Sequence, residues 1–262
     1  MLMHGQIILS PFFLDEPVPG LEEIVAADWI VNKPVLPEGA LQTRMTVVHQ
    51  AIARLAADAI ADGDRPVSIA GDCCAAIGLL AGLQQSGIRP TLMWFDAHGD
   101  FNTMDTTPSG FIGGMPLAMI AGRGDLALLR AVGLDPVAEK QIILSDGRDL
   151  DPQEKTLLAA SDVVHFPDPE VLLEIPPPEG PLYVHFDVDV VALEASPAQN
   201  YPARGGPPVA LLQAVFRRLA MTARIAAISV SAWNPALDRD RRSETASMSL
   251  LTTLMADHGK SF

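Results

Sequence analysis

The sequence predicts an α/β protein in three layers, with helices on both faces of a mostly parallel central sheet. Three observations lead there. Short β-branched apolar runs alternate with longer amphipathic stretches, the pattern left when crossover helices join parallel strands. The chain has 262 residues, 48% of them hydrophobic, enough to bury one large core. Its most acidic segments stand where predicted strands end, and open parallel sheets gather ligands outside the carboxyl ends of their strands. No repeat or low-complexity tract divides the chain, so a single domain over 1–262 is expected.

Taken in order, "QIILS" reads as the first strand. The opening "MLMHGQIILSPFF" has no basic n-region and its apolar run is broken early, so no signal peptide is expected. A helical stretch over 41–61 leads to the strand "PVSIAG", and a second over 75–85 leads to "TLMWFD". The strand "QIILSD" follows, then a helix over 152–160 that starts at the cap-like "DPQE", then "DVVHF". The Pro-rich "EIPPPEGP" is a connection into "PLYVHFD". A helix over 208–221, the strand "IAAISVSA" and a helix over 243–256 complete the pattern. No apolar run reaches the ~18 residues of a membrane span.

Lys and Arg total 18 against 32 Asp and Glu, a formal charge of -14. That field repels phosphate backbones, which argues against nucleic acid and anionic membrane as partners and leaves a small molecule. The two cysteines, Cys73 and Cys74, are chain neighbours and too close for an ordinary disulfide. A cytoplasmic protein without disulfides is therefore expected.

Three strand ends carry the chemistry. "IAGDC" ends on Asp72 and Cys73, "WFDAHGD" on Asp96, His98 and Asp100, and "VHFDVD" on Asp187 and Asp189. A single Asp-rich turn is usually just solvated. Two alternating acidic motifs at strand ends are different, because so many anions in one pocket repel unless cations sit between them. Such O and N donors suit Mn²⁺, Mg²⁺ or Zn²⁺. His185 lies inside its strand and reads as a satisfied core histidine, while His4, His49, His165 and His258 stand outside the motifs and receive no chemistry.

These segments resemble, in order, the motifs of the ureohydrolase superfamily of arginases, agmatinases and formimidoylglutamases. "WFDAHGDFNT" is similar to the family's D-A-H-x-D segment, "FDVD" to its D-x-D, and "AGDCC" to its G-G-D-H, with Cys73 in the place of histidine. "SGFIGGMP" resembles the S-G-N-x-H-G-M-P loop, "GRDLDPQE" the arginase R-D-x-D-x-x-E loop, and "WNP" the end of the E-x-N-P turn. The resemblance implies an arginase-like fold and one or two Mn²⁺ ions per chain, bridged by Asp96 and Asp187. One ion would add His98 and Asp189, the other Asp100 and Cys73. A thiolate there is a softer donor and admits Zn²⁺. The implied reaction is hydrolysis of a C–N bond in an amidino, imino or amide compound by a metal-bridging hydroxide, with Asp100 orienting it and moving the proton. Relatives of this kind commonly form homo-oligomers.

The resemblance also implies substrate contacts at Asn102, Ser109, Asp151 and Glu154, although "DPQE" is equally a helix start. Three positions depart from the family. Gly113 replaces the loop histidine, Phe111 the loop asparagine, and Ala232 the glutamate that clamps a guanidinium. Arg204, in "YPARGGPP", stands where a P-A-T-G-T-P turn near the head group has threonine, so a neutral or anionic head is expected there. Cys73 and Gly113 are also features similar to those of hydroxyarginine amidinohydrolases, which keep the glutamate. The reading is a binuclear metallohydrolase; the alternative is a degenerate member that binds metal and a small molecule without turnover. A cysteine hydrolase using Cys73 and His98 is weaker, since the neighbouring carboxylates oppose a thiolate.

Overall fold

A computed structural model describes residues 5–256 of the chain; His4 and His258 lie outside the described residues. The strands are β1 (Gly5–Ser10), β2 (Phe12–Phe13), β3 (Glu16–Pro17), β4 (Ile30–Val31), β5 (Arg65–Ala70), β6 (Thr91–Asp96), β7 (Ile142–Asp146), β8 (Val164–Phe166), β9 (Pro181–Asp187) and β10 (Arg224–Ser231). The helices are α1 (Leu41–Ala61), α2 (Ala75–Gln85), α3 (Pro116–Ile120), α4 (Ala127–Val132), α5 (Pro152–Ala159), α6 (Val209–Thr222) and α7 (Arg242–Met255).

Eight strands form one sheet in the order β4-β1-β5-β10-β9-β6-β7-β8, and every pairing in it is parallel. The chain lays down one half from β1 to β5, crosses to β6 for the other half, and returns last to insert β9 and β10 between them. β5, β6, β9 and β10 are therefore the central strands, and each is almost wholly buried, as a sheet covered on both faces requires. One apolar cluster joins α1, α2 and α4 to one face, and a second joins α6 and α7 to the other. These are the three layers the alternation of runs predicts.

The predicted bounds of α1 and α2 coincide with those observed. These helices pack closely because Gly78 and Gly82 offer no side chain: a Cβ at Gly78 would lie 2.7 Å from the carbonyl oxygen of His49, and one at Gly82 2.5 Å from that of Ala53. The short α3 and α4, the two-residue edge strand β4 and the β2–β3 hairpin went unpredicted, being too brief to show a period. Among the described residues no helix is long and apolar enough to cross a membrane.

Candidate metal centre

The carboxyl ends of the four central strands open onto one cavity of about 450 Å³. Its floor carries Cys73 from the turn after β5, His98 and Asp100 from the loop after β6, and Asp187 and Asp189 from the end of β9. Asp96 lies just beneath, 1% exposed. Alternation along a strand explains the grouping: Trp94 and Asp96, His185 and Asp187, Ser229 and Ser231 are pairs two residues apart, so each pair points to one face.

Backbone hydrogen bonds fix these side chains. Asp96 Oδ1 accepts from the amide of His98 at 2.7 Å, Asp187 Oδ1 from that of Asp189 at 2.8 Å, and Asp189 Oδ1 from that of Ala97 at 3.0 Å. Asp72 is spent on its own turn, taking the amides of Leu14 and Cys74, and so presents Cys73 to the floor. Asp100 sits at φ +48°, a left-handed conformation that is costly for a non-glycine residue. It is held there from both sides, by the Ala118 amide on its carbonyl and by Glu154, whose Oε1 takes the Phe101 amide at 2.8 Å.

Burial and neighbouring charge raise the proton affinities of several of these groups. Burial, reinforced by the Asp189 charge, lifts Asp96 from 3.8 to about 7. Burial and neighbouring carboxylates push Asp100 and Asp187 well up. For His98, burial opposes protonation, but its bonds to Asp189 and Asp96 overcome this and raise it to about 12. His98 Nδ1 is 2.8 Å from Asp189 Oδ2. Burial and the charges of Asp187, Asp100 and Asp96 drive Cys73 well above an ordinary thiol, and its Sγ–H donates to Asp187 Oδ2 at 3.0 Å. A protonated Cys73 held by a carboxylate is no nucleophile, which disposes of the cysteine-hydrolase idea.

The donor set suits a divalent cation. Ligand atoms of Asp96, His98 and Asp189 lie within 4.8 Å of one another. Asp100 Oδ2 is buried with no hydrogen-bond partner among the described residues. Unpaired carboxylate oxygens facing other carboxylates are what a cation relieves.

Around the rim, Asn102, Ser109, Asp151 and Glu154 all line the cavity. Asn102 Nδ2 donates to Asp151 Oδ2 at 2.9 Å, and its Oδ1 accepts from Thr106. Both oxygens of Glu154 serve the backbone, at Phe101 and Asp151, so the cap-like reading of "DPQE" holds together with its position beside the cavity. Arg204 does not reach the site. It is exposed, outside the cavity lining, on a loop turned by positive φ at Gly205 and Gly206. The guanidinium drawn inward is that of Arg148, which pairs with Asp146 and donates to the carbonyls of Asp189 and Arg204.

The departures at 111 and 113 form a pair. A Cβ on Gly113 would lie 2.3 Å from the Phe111 ring, which thus occupies the room of the missing loop side chain. Phe111 also packs with Phe13 at 6.0 Å and Tyr201 at 5.2 Å between ring centroids, giving the cavity an aromatic wall. Ala232 lines the cavity at φ +66°. Sequence reasoning missed Phe13, Tyr201 and Asp149, whose Oδ2 stands 4.0 Å from His98 Nε2. Asp149 lies within "GRDLDPQE" and could have been singled out; the two aromatics carry no local signal. His185, expected to be a satisfied core histidine, is satisfied on one nitrogen: Nδ1 is 2.7 Å from Ser229 Oγ, while Nε2 has no partner. Burial lowers its pKa to about 3.

Comparison with known proteins bears on the family and the fold. The arginase from Bacillus caldovelox is 28% identical over 208 residues, covering 74% of this chain and 70% of that protein. An N(omega)-hydroxy-L-arginine amidinohydrolase from Streptomyces lavendulae is 26% identical over 245 residues, 92% of this chain and 82% of that one. The crystal structure of arginase from Bacillus cereus superposes with a TM-score of 0.81 at 24% identity, covering 98% of this chain and all of that one. The profile of the Arginase family matches residues 30–256, and the chain belongs to that family.

Proposed function

We propose that this protein is a metal-dependent hydrolase of C–N bonds in small amidino, imino or amide compounds. The observation that carries the reading is the convergence of His98, Asp100, Asp187, Asp189 and Cys73 from three strand ends onto one cavity, with an Asp96 oxygen in reach of the ligand atoms of His98 and Asp189. Asp96, His98, Asp187 and Asp189 would hold Mn²⁺, being hard donors, with Asp100 and Cys73 serving a second ion. Divalent cations held there would supply hydroxide at neutral pH, since metal binding can lower the pKa of water from 15.7 toward ~7.

The chain's own residues do the rest. Asp100 lines the cavity, and its Oδ2 is buried without a hydrogen-bond partner among the described residues; this carboxylate would orient the attacking oxygen and pass a proton to the leaving nitrogen. Its left-handed backbone is braced by Glu154, which acts by positioning and not by touching substrate. Asn102, Ser109 and Asp151 offer polar groups to the far end of a substrate, and the Phe13–Phe111–Tyr201 wall excludes water from one side. Ala232 leaves no carboxylate to clamp a guanidinium, so neutral or weakly cationic head groups are favoured over arginine and agmatine.

The relatives whose names specify arginine or hydroxyarginine chemistry support the reaction class. Binding without turnover is the second reading, favoured by Phe111 filling the space beside Gly113. One experiment separates the two: quantify bound metal, then screen amidino and amide compounds for release of urea or ammonia. Metal binding with no release from any compound would establish the second reading.

A further inference from the structure

His185 is not used by anything above, and its surroundings are specific. It sits in mid-β9, level with Trp94 of β6 and Ser229 of β10, so all three side chains point to the face that carries the site. The Trp94 ring stacks on the imidazole at 3.7 Å, and Trp94 Nε1 donates to Asp96 Oδ2 at 3.0 Å. One residue thus fixes both the histidine and the carboxylate. On the other side Ser229 Oγ lies 2.7 Å from His185 Nδ1 and 2.7 Å from the Tyr183 hydroxyl. What remains is Nε2, on a residue 1% exposed, with no hydrogen-bond partner among the described residues. His185, Cys73 and Asp96 each offer a ligand atom, and these three atoms lie within 4.8 Å of one another.

We propose that Cys73 Sγ, His185 Nε2 and Asp96 form a zinc-selective site beside the harder Asp96–His98–Asp189 site. The family's histidine, absent from the turn after β5, is replaced from below by an imidazole that strand β9 delivers. This proposal rests on the metal-centre reading and goes beyond it, because the resemblance assigns His185 nothing. Hydrogen-bond accounting favours it. With its proton on Nδ1, donated to Ser229 Oγ, the ring keeps the Nε2 lone pair free for a cation, the arrangement by which a metal-bound histidine is held from behind. Either tautomer leaves Nε2 buried and unpaired among the described residues, and a cation on the Nδ1–H form relieves that. An unpartnered nitrogen alone is not the argument, since His49 Nδ1 is also buried and unpartnered, but on α1 and outside either group of potential ligands. A thiolate, an imidazole and a carboxylate in a buried setting match Zn²⁺, whereas Mn²⁺ prefers oxygen-rich sets.

The test uses the full chain, stripped with chelator and loaded with one equivalent of Zn²⁺. X-ray absorption should find one sulfur and one imidazole nitrogen on the same ion. Sulfur without imidazole, imidazole without sulfur, or a half-and-half average from zinc split between two sites would each overturn the proposal. His185→Gln should weaken Zn²⁺ binding by about tenfold or more and leave Mn²⁺ uptake at the His98 site unchanged. Unchanged Zn²⁺ affinity in a folded variant would overturn the proposal, and the wild-type absorption spectrum stands even if that variant does not fold. If the wild type takes up Mn²⁺ but shows no mixed sulfur–imidazole zinc shell, only the His185 inference fails. If it binds neither metal, the metal-centre reading falls with it.

Discussion

Asp100 combines a left-handed backbone, a buried unpartnered oxygen and a place on the cavity floor. Each is costly unless the residue works. Asp100→Asn keeps an oxygen that can coordinate but loses the ability to take a proton. Turnover should drop by roughly 10²-fold or more while metal per chain stays within reach of the wild-type value; an active variant would contradict the proton-handling role. A second residue-scale expectation concerns Gly113 and Phe111. Gly113→Ala should destabilise the protein by about 1–3 kcal/mol through the collision with the Phe111 ring. The same change in a Phe111→Asn background should cost far less, and a thermal-denaturation double-mutant cycle reads the difference as coupling. Strictly additive effects would show that the two positions are independent.

At the level of elements, the loop after β6 owes its shape to α5. Glu154 is buried at the first turn of that helix and spans to the Phe101 amide. Glu154→Gln retains one acceptor oxygen for two backbone donors, so about 1–3 kcal/mol of stability should be lost. Because the damage falls on the placement of Asp100, kcat should fall more than KM rises; a pure KM effect would instead make Glu154 a substrate ligand. The crowded ends of β6 and β9 also give the metal-free protein a pH signature. Asp96 rises from 3.8 to about 7 on folding, mainly through burial. Its folded pKa exceeds its unfolded one, so its contribution is fully present below the lower value and is lost as pH climbs through the higher. His49 and His185, lowered by burial to about 4 and about 3, slope the opposite way over the same window, so the Asp96 effect is read from denaturant melts as the difference between chelated wild type and chelated Asp96→Asn. The wild type should lose stability relative to the variant as pH rises, by at most about 1.4 kcal/mol per pH unit for one proton. Added Mn²⁺ should reverse the trend, since binding displaces protons. A difference between the two that stays flat with pH would remove the claim that burial and crowding raise Asp96.

Seen whole, the molecule keeps the fold of its relatives and alters one end of the cavity. Ala232→Glu should return a carboxylate there and improve kcat/KM on arginine and agmatine by roughly tenfold or more, the worth of one charge-assisted hydrogen bond. Efficient wild-type hydrolysis of arginine, unchanged by that substitution, would refute the reading of the emptied position. The sequence made the sheet legible because buried parallel strands are continuous apolar runs, and it made the strand-end acids legible because each motif is local, as in "WFDAHGD". What it hid was relational. The free Nε2 of His185 depends on Ser229 and Trp94 from other strands, and the outward path of Arg204 depends on the turn at Gly205 and Gly206. The edge strand β4 was invisible for the plainer reason of its length.

The late insertion of β9 and β10 bears on how the protein matures. Val67 pairs with Ile228, and Trp94 with His185, so the middle of the sheet closes only when remote parts of the chain meet. Such contacts carry a large loop-closure cost and make folding slow. The two halves can collapse beforehand, but neither owns enough donors to trap a cation tightly: one brings Cys73, the other Asp96, His98 and Asp100, and Asp187 and Asp189 arrive with β9. On the proposed metal reading, the ion would bind in the final step and would not template the first. In refolding from denaturant, tight Mn²⁺ uptake should share the rate constant of the slowest fluorescence phase and should not speed it. Uptake completed ahead of that phase would mean that an incomplete sheet already holds the ion.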